Sequence, residues 1–168
     1  YEVVDEGKAG ILGFGAKPAI IKARVKATLV DNVKIFLNEV FAAMNIEVVV
    51  NVEYDEKERN MNIDLAGEDM GMLIGKRGQT LDSLQYLVSL VVNKETDDYI
   101  RVKVDTENYR QRRKDTLENL AKNIAYKVKR TKRTVSLEPM NPYERRIIHS
   151  ALQNDKYVST HSEGDEPF

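Results

Sequence analysis

The sequence predicts an α+β chain of more than one domain, and three observations carry that reading. Apolar residues alternate with polar ones over 46–52, 61–65 and 100–104, the period of half-buried strands. Around these runs, apolar residues recur at helical spacing over 31–45, 81–91 and 107–134. A separate glycine-punctuated segment, residues 1–27, reads as strand, turn, strand.

Composition narrows the function classes. The 168 residues can hold one medium domain or two or three small ones. Lys and Arg number 26 against 27 Asp and Glu, so the net charge of −1 argues for no polyanionic partner. Only the distribution of charge can do so. The absence of cysteine excludes disulfides and thiolate metal sites, and fits a reducing cytoplasm. No apolar run approaches the length of a membrane span, and no signal-peptide pattern opens the chain. The first residue is Tyr1, and Tyr1 to Val4 reads as part of a strand, so the sequence is expected to begin inside a larger protein.

In the first segment, Gly10, Gly13 and Gly15 punctuate a turn that Pro18 ends, and Ile21, Ala23 and Val25 alternate as in a half-buried strand. A nucleotide-binding loop fails here. Lys17 comes one place late, and no Ser or Thr follows it to hold magnesium. In the next helix, Val33, Phe36, Leu37, Val40, Phe41 and Met44 share a face, with Asp31 the candidate N-cap. Ile46, Val48, Val50 and Val52 predict a strand, the polar run Asp55 to Asn60 a turn, and Met61, Ile63 and Leu65 its hairpin partner. A short helix, Glu68 to Ile74, leads to a longer one with Leu81, Leu84, Leu87, Val88 and Val91 inward. Asn93 to Asp98 breaks that helix before a strand with Ile100, Val102 and Val104.

Between the two helices lies Gly75-Lys76-Arg77-Gly78. Glycines without a Cβ admit close approach of a ligand backbone, and the cations sit where a phosphate would. The following helix offers free N–H groups and its positive dipole end. These residues predict a loop that grips a nucleic-acid backbone. A bare glycine pair at this spacing is a weak signal, since Gly10 and Gly13 repeat it with apolar residues between.

Residues 107–134 predict one long helix with an apolar stripe of Tyr109, Leu117, Leu120, Ala121, Ile124, Ala125 and Val128. Its other faces carry Arg110, Arg112, Arg113, Lys114, Lys122, Lys127, Lys129 and Arg130, with Lys132 and Arg133 after them. Such a run is usually a solvated face. Next to the glycine loop it also fits an electrostatic footprint for phosphates. Farther on, Asn141-Pro142-Tyr143-Glu144 starts a helix with a cap, a proline at the first position and a candidate capping box. Arg145 and His149, four apart, share a face at the border of the buried side, and Arg146 stands beside them.

The order helix, strand, strand, short helix, Gly-Lys-Arg-Gly, helix, strand resembles a bacterial-type KH domain. That resemblance implies that Gly75, Lys76, Arg77 and Gly78 clamp the backbone of a few nucleotides while Ile74 helps line an apolar groove for the bases. Met140 to His149, then Asp155 to Gly164, resembles the small Arg-x-x-x-His domain that binds single-stranded nucleic acid. There Arg145 and His149 would form an exposed pair for phosphates, Tyr157 to Ser159 a strand and Glu163 to Glu166 a turn. The strand that follows in that family is missing before Phe168. Together the layout is similar to the bacterial Jag family, also called KhpB or EloR. The expected domains are 1–30, the end of an N-terminal Jag domain, then 31–105, the KH domain. Residues 106–168 are the basic helix plus a small α+β Arg-x-x-x-His domain. The resemblance implies a cytoplasmic binder of single-stranded RNA, or single-stranded DNA, connected with cell elongation and division. It implies a small single-KH protein as partner and a link to the membrane-insertion machinery.

No catalytic role is expected. Two histidines and scattered carboxylates make no acid–base, nucleophile or metal constellation, and no cofactor is implied. The competing class is a protein-interaction adaptor or homodimer that uses the exposed side of the helix Gln79 to Asn93.

Overall fold

The computed structural model describes residues 1–8, 17–23, 27–94 and 96–164. β1 (Glu2–Asp5) and β2 (Ile20–Lys22) pair antiparallel, as the sequence predicts. They are not half-buried: Val3, Val4, Ile20 and Ile21 all face solvent. Ala23 lies past the strand, and Val25 and the glycines at 10, 13 and 15 fall outside the described residues. Lys17 pairs with Asp5.

α1 (Leu29–Ala43) starts earlier than expected because its cap is Thr28, not Asp31. The Thr28 hydroxyl accepts from the Asp31 N–H at 3.1 Å, and the Asp31 carboxylate accepts from the Thr28 N–H at 2.9 Å. This capping box satisfies two otherwise orphaned donors. Hydrogen bonds from the Thr28 backbone and side chain hold the Asp31 carboxyl below its usual range.

β3 (Val49–Asp55) and β4 (Asn60–Ala66) form an antiparallel hairpin, and β5 (Arg101–Thr106) joins β4 in parallel, with Met61 opposite Val102 and Ile63 opposite Val104. A parallel pair needs a long crossover. That crossover carries α2 (Met70–Ile74), a single 3-10 turn at Lys76–Gly78 and α3 (Gln79–Asn93). The sheet buries Met61, Ile63, Leu65, Val102 and Val104 against Val33, Leu37 and Phe41 of α1 and Leu81, Leu84, Val88 and Val92 of α3. Its other face shows Asn62, Asp64, Arg101 and Lys103 to water, so the unit has two layers. Leu87 is exposed and Val91 only half-buried, against expectation. The inward row is Leu81, Leu84, Val88 and Val92, and Leu87 sits about 100° round the helix from its centre.

The loop after α3 is closed by one side chain. Asn93 donates to the Ile100 carbonyl at 3.0 Å and accepts its N–H at 2.7 Å. After β5, Glu107 and Asn108 both take positive φ and turn the chain sharply into α4 (Tyr109–Thr131). α5 (Pro142–Leu152) lies against α4. Leu117, Ala121 and Ala125 of α4 meet Met140, Ile147, Ile148 and Leu152 in a second core. The strand expected at Tyr157 to Ser159 is not formed. A strand exists only in a ladder, and among the described residues this segment has no pairing partner. Of the turn expected at Glu163 to Glu166, Gly164 takes φ +88°, and residues 165 and 166 lie outside the described range.

Candidate nucleic-acid interface

The glycine loop uses both glycines for reasons of space. Gly75 has φ +66° and ψ −163°, and a Cβ there would stand 2.0 Å from the Thr80 hydroxyl oxygen. Gly78 has φ +84°, and its Cβ would meet the Tyr109 ring at 2.7 Å. So the first residue of α4 covers the loop from behind. Burial pushes the Tyr109 hydroxyl above its ordinary pKa.

The two cations differ. Lys76 is exposed and forms no ion pair among the described residues. Arg77, at φ +58°, is partly covered: its guanidinium pairs with Glu138 and donates to the Pro139 carbonyl at 2.7 Å. The segment between α4 and α5 therefore reaches the loop. A groove of about 870 Å³ runs between them, with Lys76, Arg77, Gln79 and Ser83 on one side and Glu138 and Asn141 on the other. Ile74 is half-buried and does not line this groove.

Half of the expected basic footprint on α4 is already paired. Arg110 donates to Val104 O at 3.0 Å, Asp82 at 2.7 Å and Gln85 Oε1 at 3.1 Å, locking the start of α4 onto β5 and α3. Arg112 pairs with Glu107, Arg113 with Glu144, Lys114 with Glu118 and Lys129 with Asp155.

At α5, Asn141 caps as expected, accepting from the Glu144 N–H at 2.9 Å, with Pro142 first in the helix. The capping box is not completed. The Glu144 carboxylate is buried and takes the Arg113 guanidinium instead, at 2.7 and 2.8 Å. Burying a carboxylate is costly unless it is paired, so the stronger donor wins over the backbone N–H. Arg145 and His149 do share a face, but they are not an open pair. Arg145 donates to Met140 O at 2.9 Å and Glu163 O at 3.2 Å. His149 bridges Thr160 at 2.6 Å and Ser162 at 2.9 Å. Both fasten the segment 160–163 over α5. Arg146 is exposed and makes no ion pair among the described residues.

Three family models match in chain order: the Jag N-terminus over residues 1–25, the KH domain of KhpA and KhpB over 30–104, and the R-three-H (Arg-x-x-x-His) domain over 115–168. The chain is 73% identical to the RNA-binding protein KhpB of Clostridium symbiosum, over all of this chain and 76% of that protein. It is 40% identical to the RNA-binding protein KhpB of Bacillus subtilis (strain 168), over 97% of this chain and 79% of that one. The chain belongs to the KhpB (Jag) family. The family resemblance read from the two motifs is thereby established, as is the multidomain α+β class. What KhpB-type motifs did not disclose is the set of residues behind the motifs. Tyr109 behind Gly78, Glu138 on Arg77 and Arg113 on Glu144 join distant parts of the sequence, and only a charge buried at Glu144 beside an apolar helix face could have hinted at the last. Among the described residues no group of His, Asp or Glu is arranged to hold a metal ion, and no helix is long and apolar enough to cross a membrane.

Proposed function

We propose that the chain binds single-stranded RNA through two grips, with the phosphate backbone seated on the Gly75 to Gly78 loop and on the Arg145, Arg146 and His149 face. One observation carries this: the loop presents exposed Lys76 on the lining of a groove, between two glycines whose positive φ would strain any residue with a side chain. The RNA-binding name of its KhpB relatives supports it. Residues 31–105 act as one grip and 106–168 as the other, with α4 holding both at high effective concentration. Affinity then falls steeply with salt, as phosphate contacts release counterions. The family reading further supports a cytoplasmic, non-catalytic regulator tied to cell elongation, with a small single-KH protein as partner and a link to the membrane-insertion machinery.

The test is anisotropy with fluorescent single-stranded RNA and DNA across a salt series. Lys76→Asp with Arg77→Asp should abolish most binding while the fold persists. A folded double variant that binds as tightly as the parent would remove the loop from the interface. A second reading is an adaptor or homodimer, favoured by exposed Tyr86, Leu87 and Leu90 on α3. Its mark would be a tight dimer indifferent to RNA.

A further inference from the structure

The C-terminal half of α4 differs from its start. Lys122, Lys127 and Arg130, with Lys132 and Arg133 just beyond the helix, are exposed and form no ion pair among the described residues. Leu117, Ala121 and Ala125 fix the inward side. Lys122, Tyr126 and Arg130 follow at i, i+4 and i+8, a single row on the outer flank. Tyr126 is 68% exposed, a large ring in water with a cation one turn to either side, about 6 Å along the axis. One exposed tyrosine needs no explanation. A second exposed ring lies against the same helix: Tyr157, 79% exposed, with the ammonium of Lys129 in α4 5.6 Å from its ring centre. Lys129, the residue before Arg130, is paired with Asp155, so its charge is already met and, among the described residues, the free cations of the row are Lys122 and Arg130.

We infer that this flank is a third contact for the RNA strand, in which a base stacks on Tyr126 while Lys122 and Arg130 hold the phosphates on either side. The inference rests on the RNA-binding reading above. Cations interleaved with exposed aromatic rings are what a single strand requires, because every base offers a π-face and every linkage a negative charge. An acidic peptide would use the cations and leave the rings without a purpose. The row lies about 26 Å along α4 from Tyr109 and the glycine loop, a span a single strand can cross. Sequence preference at this contact is weak, since stacking discriminates poorly among bases.

The chain contains no tryptophan, so Tyr126→Trp gives a single reporter. Titration with a uridine oligonucleotide should quench its emission, and a glutamate oligopeptide should not. In parallel, Lys122→Glu with Arg130→Glu should weaken RNA binding about tenfold or more, and reduce the log–log salt slope by about 1.4, two contacts' worth. Lys34→Glu with Lys103→Glu makes the same charge change on exposed positions elsewhere and serves as the control. If the parent binds RNA, but the α4 variant matches this control and the tryptophan is not quenched, the third contact does not exist. Quenching by the peptide but not the RNA would overturn it equally. If the parent binds no RNA at all, the reading that fails is the one under Proposed function.

Discussion

The Arg77 guanidinium of the glycine loop is paired with Glu138, a residue of the connection that leads into the other module. The carboxylate lies against the cation that the loop would offer to a phosphate. With Glu138 three-quarters exposed, the pair is worth no more than about 1 kcal/mol. RNA can therefore displace it at small cost. Glu138→Gln should strengthen RNA binding about two- to fivefold, and Arg77→Ala should weaken it, both read by anisotropy at low salt.

Gly78 and Gly71 should respond oppositely to alanine. At Gly78 the backbone is left-handed and a Cβ would strike the Tyr109 ring. Gly78→Ala should cost about 1–3 kcal/mol. At Gly71, inside α2, a Cβ meets nothing within 4 Å, so Gly71→Ala should add about 0.5–1 kcal/mol. Urea unfolding of the two variants distinguishes the cases.

Arg113→Ala would leave the buried Glu144 carboxylate without its partner. A loss of about 3 kcal/mol is expected in the module built on Leu117 and Ile147. Adding Glu144→Gln should restore part of it, because the uncompensated charge is gone. Denaturation followed at both modules would show the loss confined to the second core.

Acid should loosen the same module. The Lys129 hydrogen bond, and then the Tyr157 N–H, hold the Asp155 carboxyl below its ordinary value. A folded value lowered in this way stabilises the fold above the unfolded pKa near 4, and that contribution disappears as pH falls through the folded value. Asp155→Asn should therefore flatten the dependence of stability on pH below about 4, measured as urea midpoints.

Arg145→Ala with His149→Ala should do two things at once. It should weaken RNA binding and speed amide exchange over residues 160–163, since both side chains fasten that segment. Exchange without a change in affinity would give the pair a purely structural role.

The KH-like unit was legible because its signals are local. Alternation placed Met61, Ile63 and Leu65 inside, and helical spacing placed Val33, Leu37 and Phe41. The glycine loop announced itself by residue type. What the sequence concealed depends on contacts between distant residues. Nothing near Arg77 names Glu138, so that pair went unread, and nothing near Glu144 names Arg113, so the fate of the capping box was misread. Leu87 failed for a finer reason: a shift in phase of less than one residue's rotation moves one leucine off the buried arc. Asp31 failed because Thr28, just upstream, made the better cap.

α4 runs without a break from the ring behind Gly78 to the lysine that holds Asp155. A rod of this kind behaves like a gear shaft. One residue added in its middle would advance the far end by about 1.5 Å and rotate it by about 100°, turning Tyr126 and Arg130 away from whatever Lys76 faces. Length changes that preserve the alignment come in steps of seven or eleven residues, close to whole turns. If the proposed contacts hold, spacing along this one helix determines which stretch of a bound strand can touch both ends together.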